Sequence, residues 1–394
     1  MQPLLILAQS HRFQGTRILE IQNEELFHHF SDYSIFALDL EGLVDIVHQP
    51  AARHQVTLDL PGYDPLHLEL FANDLKAEDY VLSLQTENGV IRQADDGIIK
   101  TFVGNLTGGK YAVSLTIDKD FMLGTIEQPQ DRLMIVPLRF VAKGAPRNTI
   151  LVFWQSDMIE DHADHGCQIR SVPGMFDPEL PELPEERSSV ACLDVQVAFA
   201  DDWLMFDKYN ESVTDVENHN MAVINNVQNN YDNEFDDEYV FVVMEIWISM
   251  CNTCDPWTAS TDASALLSSF SNWAGNGFSN QHDIANLWTD RNFDGPTVGI
   301  AWLGAVCFPG FKYSVTMDAS PNPDLLRSLL AHEFGHVFGS DHDPNGSQTI
   351  MAPFLGNYDT WSASSVNQID SYMNTVGCLS ACASGVAPTA SFIG

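Results

Sequence analysis

The stretch AHEFGHVFGSDHD, residues 331–343, decides how the rest of the chain is read. His332 and His336 are four residues apart, so on a helix both imidazoles leave from one face, one turn apart. The surrounding PDLLRSLLAHEFGHVFG predicts such a helix, opened by Pro323 and closed by Gly339. Two imidazole nitrogens can hold one Zn²⁺ at about 2.0–2.1 Å. Gly339 can turn the chain sharply and bring His342 back as a third ligand. Three nitrogens leave a fourth position open, the geometry of a catalytic rather than a structural zinc site. A zinc so held lowers the pKa of water to about 7 and polarises a carbonyl. Glu333, beside the first ligand, is the expected general base, passing the proton on to a leaving amine. A bare H-E-x-x-H arises by chance in many helices, but the extension to H-E-x-x-H-x-x-G-x-x-H-D is far more specific. His219 and His282 stand alone in the sequence and are expected to be structural.

Composition bounds what such a site could serve. The chain has 394 residues, a length that predicts two domains, and its 45% hydrophobic content is enough for real cores. Net charge is −36, and beyond Arg187 there are 25 acidic residues against four basic ones. Nucleic acid and anionic lipid surfaces would be repelled, so neither is an expected partner. No apolar run reaches the roughly 18–20 residues of a membrane span, and the N-terminal PLLILA is too short for a signal-peptide core.

Two regions differ in pattern. QVTLDL, LHLELF, YVLSLQ, YAVSLTI, RLMIVPLRFV and TILVFW, all within 55–154, read as strands. Residues 1–172 are therefore expected to form an all-β, sandwich- or barrel-like domain. The proline-rich, acidic stretch 173–190 reads as an exposed linker. Beyond it strands and helices alternate, predicting an α/β domain over 191–382. Residues 383–394 are expected to be a C-terminal linker.

Residues 190–380 resemble the metzincin metallopeptidases, with the elongated zinc motif and a Met-turn, TIMAPF. Asp343 after the third histidine is similar to the adamalysin (reprolysin, ADAM-like) branch. NLWTDRNFDGPTVGIAWLGAVC and WSASSVNQIDSYMNTVGC also resemble that family's substrate-edge and C-terminal segments. The resemblance implies a metzincin-type catalytic domain, a mixed twisted sheet with a zinc helix and Met-turn, preceded by a prodomain. It implies one catalytic Zn²⁺ on His332, His336 and His342, with Glu333 as base and Met351 as the apolar floor. Asp343 would anchor the loop of the third ligand. The edge strand Gly299, Ile300, Ala301, Trp302, Leu303 and Gly304 would pair with an extended protein or peptide substrate. Pro353 and Phe354 would wall the adjoining pocket. The family pattern also suggests a Cys307–Cys378 bridge. Cys251 and Cys254 form a C-x-x-C that reads as a disulfide, leaving Cys192 and Cys382 for each other. No motif points to Ca²⁺.

Seven cysteines leave Cys167 over, and it could be a spare thiol, half of a disulfide or a metal ligand. It lies just before the linker, where the resemblance implies a propeptide cysteine that takes the fourth zinc position and keeps a zymogen latent. His162 and His165 beside it read as solvated loop residues. Arg187 is the expected activation cleavage site, giving a mature chain from Ser188. The absence of a basic furin-type site and of a following disintegrin segment points toward a secreted endopeptidase rather than a membrane sheddase, and a monomer is expected. A different metzincin subfamily is one alternative. Another is a binding or adhesion protein with a retired zinc site, against which the retained Glu333 argues.

Overall fold

The computed structural model describes residues 11–19, 24–109, 111–159, 165–173, 192–235 and 238–382. The linker 173–190 beyond its first residue, His162, Arg187, Ser188 and the tail 383–394 lie outside the described residues. The chain divides into two compact units. Among the described residues, one holds those between 11 and 74 and between 97 and 159, the other those between 75 and 96 and between 165 and 382.

The first unit begins with β1 (His11–Gln14), β2 (Thr16–Arg17), α1 (Glu24–His29), β3 (Ser34–Ala37), α2 (Leu40–Val47), β4 (His54–Asp59) and β5 (Leu66–Ala72). The chain then makes a hairpin, β6 (Lys76–Thr86) and β7 (Gly89–Ala94), which belongs to the other unit. It re-enters the first unit as β8 (Thr101–Leu106), β9 (Ala112–Asp118), β10 (Phe121–Glu127), β11 (Arg132–Pro137) and β12 (Thr149–Trp154). Ten strands form one sheet in the order β1-β4-β5-β8-β9-β10-β11-β12-β3-β2. All its pairs are antiparallel except β1 with β4. Leu43, Val44 and Val47 of α2 join a core with Leu58, Leu68, Phe102, Leu115 and Ile117. The expected all-β arrangement is therefore replaced by a sheet with two helices. The alternation of single strands could not show that LEGLVDIV, with Asp39 capping its first turn, forms a helix.

The second unit is built on β13 (Gly166–Ser171), β14 (Leu193–Asp201), α3 (Trp203–Lys208), α4 (Val213–Phe235), β15 (Tyr239–Ser249), α5 (Ala263–Gly277), β16 (Ile284–Thr289), β17 (Thr297–Leu303), β18 (Tyr313–Met317), α6 (Pro323–Val337), α7 (Ala363–Met373) and β19 (Ser380–Ala381). Its sheet runs β13-β17-β18-β16-β14-β15-β6-β7, with β19 beside β14. The strands β15, β14, β16 and β18 are mutually parallel and β17 is antiparallel to β18. Parallel strands need both faces covered. Phe199, Phe241, Ile246, Trp247 and Leu287 are accordingly buried. The α/β reading of the second half holds. The sequence boundary at 172 does not follow the division into units, because β6, β7 and β13 all pair within this second sheet. All three expected disulfides are formed, Cys192–Cys382, Cys251–Cys254 and Cys307–Cys378, and Cys167 is free.

Helix α6 positions the site. The Asn322 side chain accepts from the Asp324 amide, Pro323 occupies the first turn, and Gly339 ends the helix at φ +93° with its amide on the His336 carbonyl. It packs against α4, β17 and β18, and nearly every side chain on it is buried. Removing the cap should loosen the start of this helix. Asn322→Ala is expected to cost about 1 kcal/mol, read as an earlier denaturant transition of the second unit.

Candidate metal and catalytic site

Three imidazoles converge at the end of α6. The Nε2 atoms of His332 and His336 are 2.9 Å apart, and each is 3.2 Å from Nε2 of His342. Nδ1 of His332 lies 2.6 Å from the Ile350 carbonyl oxygen and Nδ1 of His336 lies 2.7 Å from that of Ser340. A carbonyl oxygen only accepts, so both Nδ1 atoms carry the proton and both Nε2 lone pairs face the common point. Burial holds all three rings neutral, with His332 pushed down to about 3 and His336 well below its ordinary value. Nitrogens about 2.0–2.1 Å from a tetrahedral zinc would sit about 3.3 Å from one another, so the donor set fits that ion.

The loop carrying His342 is fixed through Asp343. Its carboxylate accepts from Thr349 at 2.5 Å, Ser362 at 2.6 Å and Ser365 at 3.0 Å, and its amide donates to the Met351 carbonyl. Met351 is fully buried under the helix. A Cβ on Gly335, between the two helical ligands, would come within 2.5 Å of its sulfur.

Glu333 is wholly buried, and neither carboxylate oxygen has a conventional hydrogen-bond partner. Burial pushes its pKa well above the ordinary value, while the Cys167 thiol beside it acts in the opposite direction. The sulfur, a ring nitrogen of His332 and a Glu333 oxygen lie within 4.8 Å of one another. Among the described residues no grouping at that distance joins Cys167 to all three histidines, so the thiol stands on the base side of the site. Desolvation, and then the Glu333 charge, push its pKa well up.

The expected substrate elements face one another across a strand. Along β17, Gly299, Ile300, Ala301, Trp302 and Leu303 pair in parallel register with Cys167, Gln168, Ile169, Arg170 and Ser171. On the other side Cys167 donates to the Pro353 carbonyl, Gly166 bridges Phe354, and the Leu355 amide donates to the His165 carbonyl. The segment is pinned by Gln168 to Thr297 (2.6 Å) and by Arg170, which bonds Ser268 (2.9 Å) and lies over the Trp302 ring. Gly304 follows at φ +62°, its amide on the His336 carbonyl. His165, His219 and His282 join no metal-type cluster among the described residues. His219 is packed against Tyr209 and Trp288 with neither ring nitrogen hydrogen-bonded, and burial lowers it to about 4.

A family model for the reprolysin (M12B) zinc metalloproteases matches residues 195–382. Over that segment the chain is similar to the reprolysin zinc metalloproteases. A zinc metalloproteinase-disintegrin-like protein of Cerberus rynchops is 28% identical over 151 residues, 38% of this chain and 24% of that protein. The chain thus matches about a quarter of that relative's length. The crystal structure of metalloproteinase-II from Bacteroides fragilis superposes with a TM-score of 0.54 at 14% identity, covering 85% of this chain and 96% of that one. That likeness concerns the fold alone.

Several contacts of this site had no signal in the sequence. The Ile350 and Ser340 carbonyls that orient the ligands are backbone groups, which any residue supplies. The place of Gly299 is another. A Cβ there would come within 2.1 Å of Glu333 Oε1 and 2.8 Å of Leu329 Cδ1. Gly299→Ala should therefore displace the carboxylate without touching a metal ligand. Proteolytic rate is expected to fall at least about 10²-fold, the contribution of a positioned base, with zinc content by atomic absorption unchanged.

Proposed function

We propose that this chain is a zinc-dependent endopeptidase held latent by its own N-terminal region. The observation that carries the reading is the trio of Nε2 atoms beside a buried Glu333, in a groove whose walls already grip an extended strand. His332, His336 and His342 would hold the ion. Zinc, when bound, supplies a Lewis acid that acidifies water and polarises a peptide carbonyl. Glu333 then takes the water's proton and returns it to the departing amine, and its raised affinity for protons is the direction such a base needs. The edge of β17 would align an extended substrate by backbone hydrogen bonds, as it aligns β13. Pro353 and Phe354 would shape the neighbouring pocket, and Asp343 would keep His342 in place.

Latency has two parts in this reading. Residues 165–171 occupy the groove, and the Cys167 thiol, grouped with His332 and Glu333, would block the chemistry there and would be a further donor for a bound ion. Cleavage after Arg187 would free a chain starting at Ser188. The three disulfides suit an oxidising compartment, so the protein is read as secreted. No helix among the described residues is long and apolar enough to cross a membrane. Peptides or proteins are the substrates, the N-terminal region is an intramolecular inhibitor, and a monomer is sufficient for the site.

Glu333→Ala should retain about one zinc per chain while cleavage of an unstructured protein slows at least about 10²-fold. Loss of zinc together with activity would make the residue structural and revive the binding-protein alternative. Cys167→Ser should give the uncut precursor measurable activity or faster self-processing. An equally silent precursor would remove the thiol from the account and leave occlusion by β13 alone.

A further inference from the structure

The hairpin β6–β7 lies before the linker in sequence, yet it forms the far edge of the protease sheet. Strand β6 runs parallel to β15, with Val81, Leu82, Ser83, Leu84 and Gln85 opposite Glu245, Ile246, Trp247, Ile248 and Ser249. The Val243 amide donates to Leu75 and the Met250 amide to Gln85. Buried polar groups fasten the join. One Glu245 oxygen accepts from the Ser83 hydroxyl at 2.6 Å, and the other from the backbone amides of Ser279 and Asn280. The Asn280 amide group bonds the Asp79 and Met244 carbonyls together. Glu217 receives the Tyr80 hydroxyl at 3.0 Å and the Lys76 ammonium at 3.4 Å.

We infer that this hairpin is a permanent component of the protease rather than part of the releasable inhibitor, so that the active enzyme is a two-fragment complex whose N-terminal piece stays seated on β15. Without it, β15 would show water the unpaired edge of an apolar strand, YVFVVMEIWIS, the kind of edge that recruits other chains. With it, the outer edge becomes β7, which is exposed throughout and carries Arg92 and Gln93. Ser83 and Glu245 would also lose each other in a region where both are fully buried. The strand at the opposite end of the sheet, β13, is held differently. None of its side chains is fully buried, and its partner β17 is the edge offered to substrate. One N-terminal region would thus supply a removable strand at one edge and a fixed one at the other.

The inference rests on processing within 173–190, so the experiment brings its own cut. A site-specific protease sequence is placed in that linker of the full chain, once in the natural background and once with residues 165–171 replaced by glycine and serine. After cutting, both versions should elute as one 1:1 complex by native mass spectrometry. The amides of Val243 and Met250, and those of β6, should keep their hydrogen-exchange protection. Adding Ser83→Asp, which sets a second carboxylate against Glu245, should lower that protection at least about 10-fold in the cut and uncut proteins alike. Separation of the fragments, or a complex in which 75–96 exchanges freely, would overturn the inference. A complex that survives only while 165–171 is intact would overturn it equally, by assigning retention to β13.

Discussion

Two buried imidazoles with their Nε2 lone pairs turned toward one point are costly to assemble without a cation or a donor between them. His332 and His336 are fully buried, and with both Nδ1 protons committed to carbonyls neither can donate to the other across their 2.9 Å separation, while His342 lies 3.2 Å from each. The rest of the second unit is arranged around that constraint. The buried helix α6 sets two of the rings one turn apart, Gly339 ends it, and Asp343 ties the returning loop to Thr349, Ser362 and Ser365. Metal binding would then be folding energy for this end of the domain, since the ligands converge only when the loop is in place.

Closeness of backbones at the same point explains the groove. Gly299 lacks the side chain that would strike Glu333, and the same residue pairs with Cys167. One strand position therefore brings the base, the thiol and the substrate edge within reach of each other. The groove walls, β17 and Pro353–Phe354, make backbone contacts with whatever extended segment lies between them. A substrate using that groove, as proposed, would have to displace the chain's own strand.

The parts of this arrangement that were legible in the sequence are the local ones. The spacing of His332, His336, Gly339 and His342 encodes a helix, a stop and a return, all within eleven residues, and Pro323 marks the helix start. Asp343, Met351 and the Cys307–Cys378 bridge were expected from the resemblance, the Cys251–Cys254 bridge from its C-x-x-C spacing and Cys192–Cys382 as the pair left over; all three bridges form, and Asp343 accepts from Thr349, Ser362 and Ser365. Long-range pairing was not legible. YVLSLQ reads as a strand anywhere, and nothing in its alternation says that it pairs with β15 rather than with its sequence neighbours β5 and β8. For the same reason the segment containing Cys167 gave the residue's surroundings but not its parallel register on β17. LEGLVDIV was lost among strands because a two-turn helix is too short for its period to stand out.

The central claim is that His332, His336 and His342 together hold one zinc ion. Zinc K-edge X-ray absorption on the zinc-loaded Cys167→Ser chain tests it without reference to catalysis. The account predicts three nitrogen scatterers with imidazole outer-shell features at about 2.0–2.1 Å, one light atom completing the shell, and no sulfur. A shell dominated by sulfur at about 2.3 Å, or one that keeps its imidazole count when His342 is replaced by alanine, would contradict it.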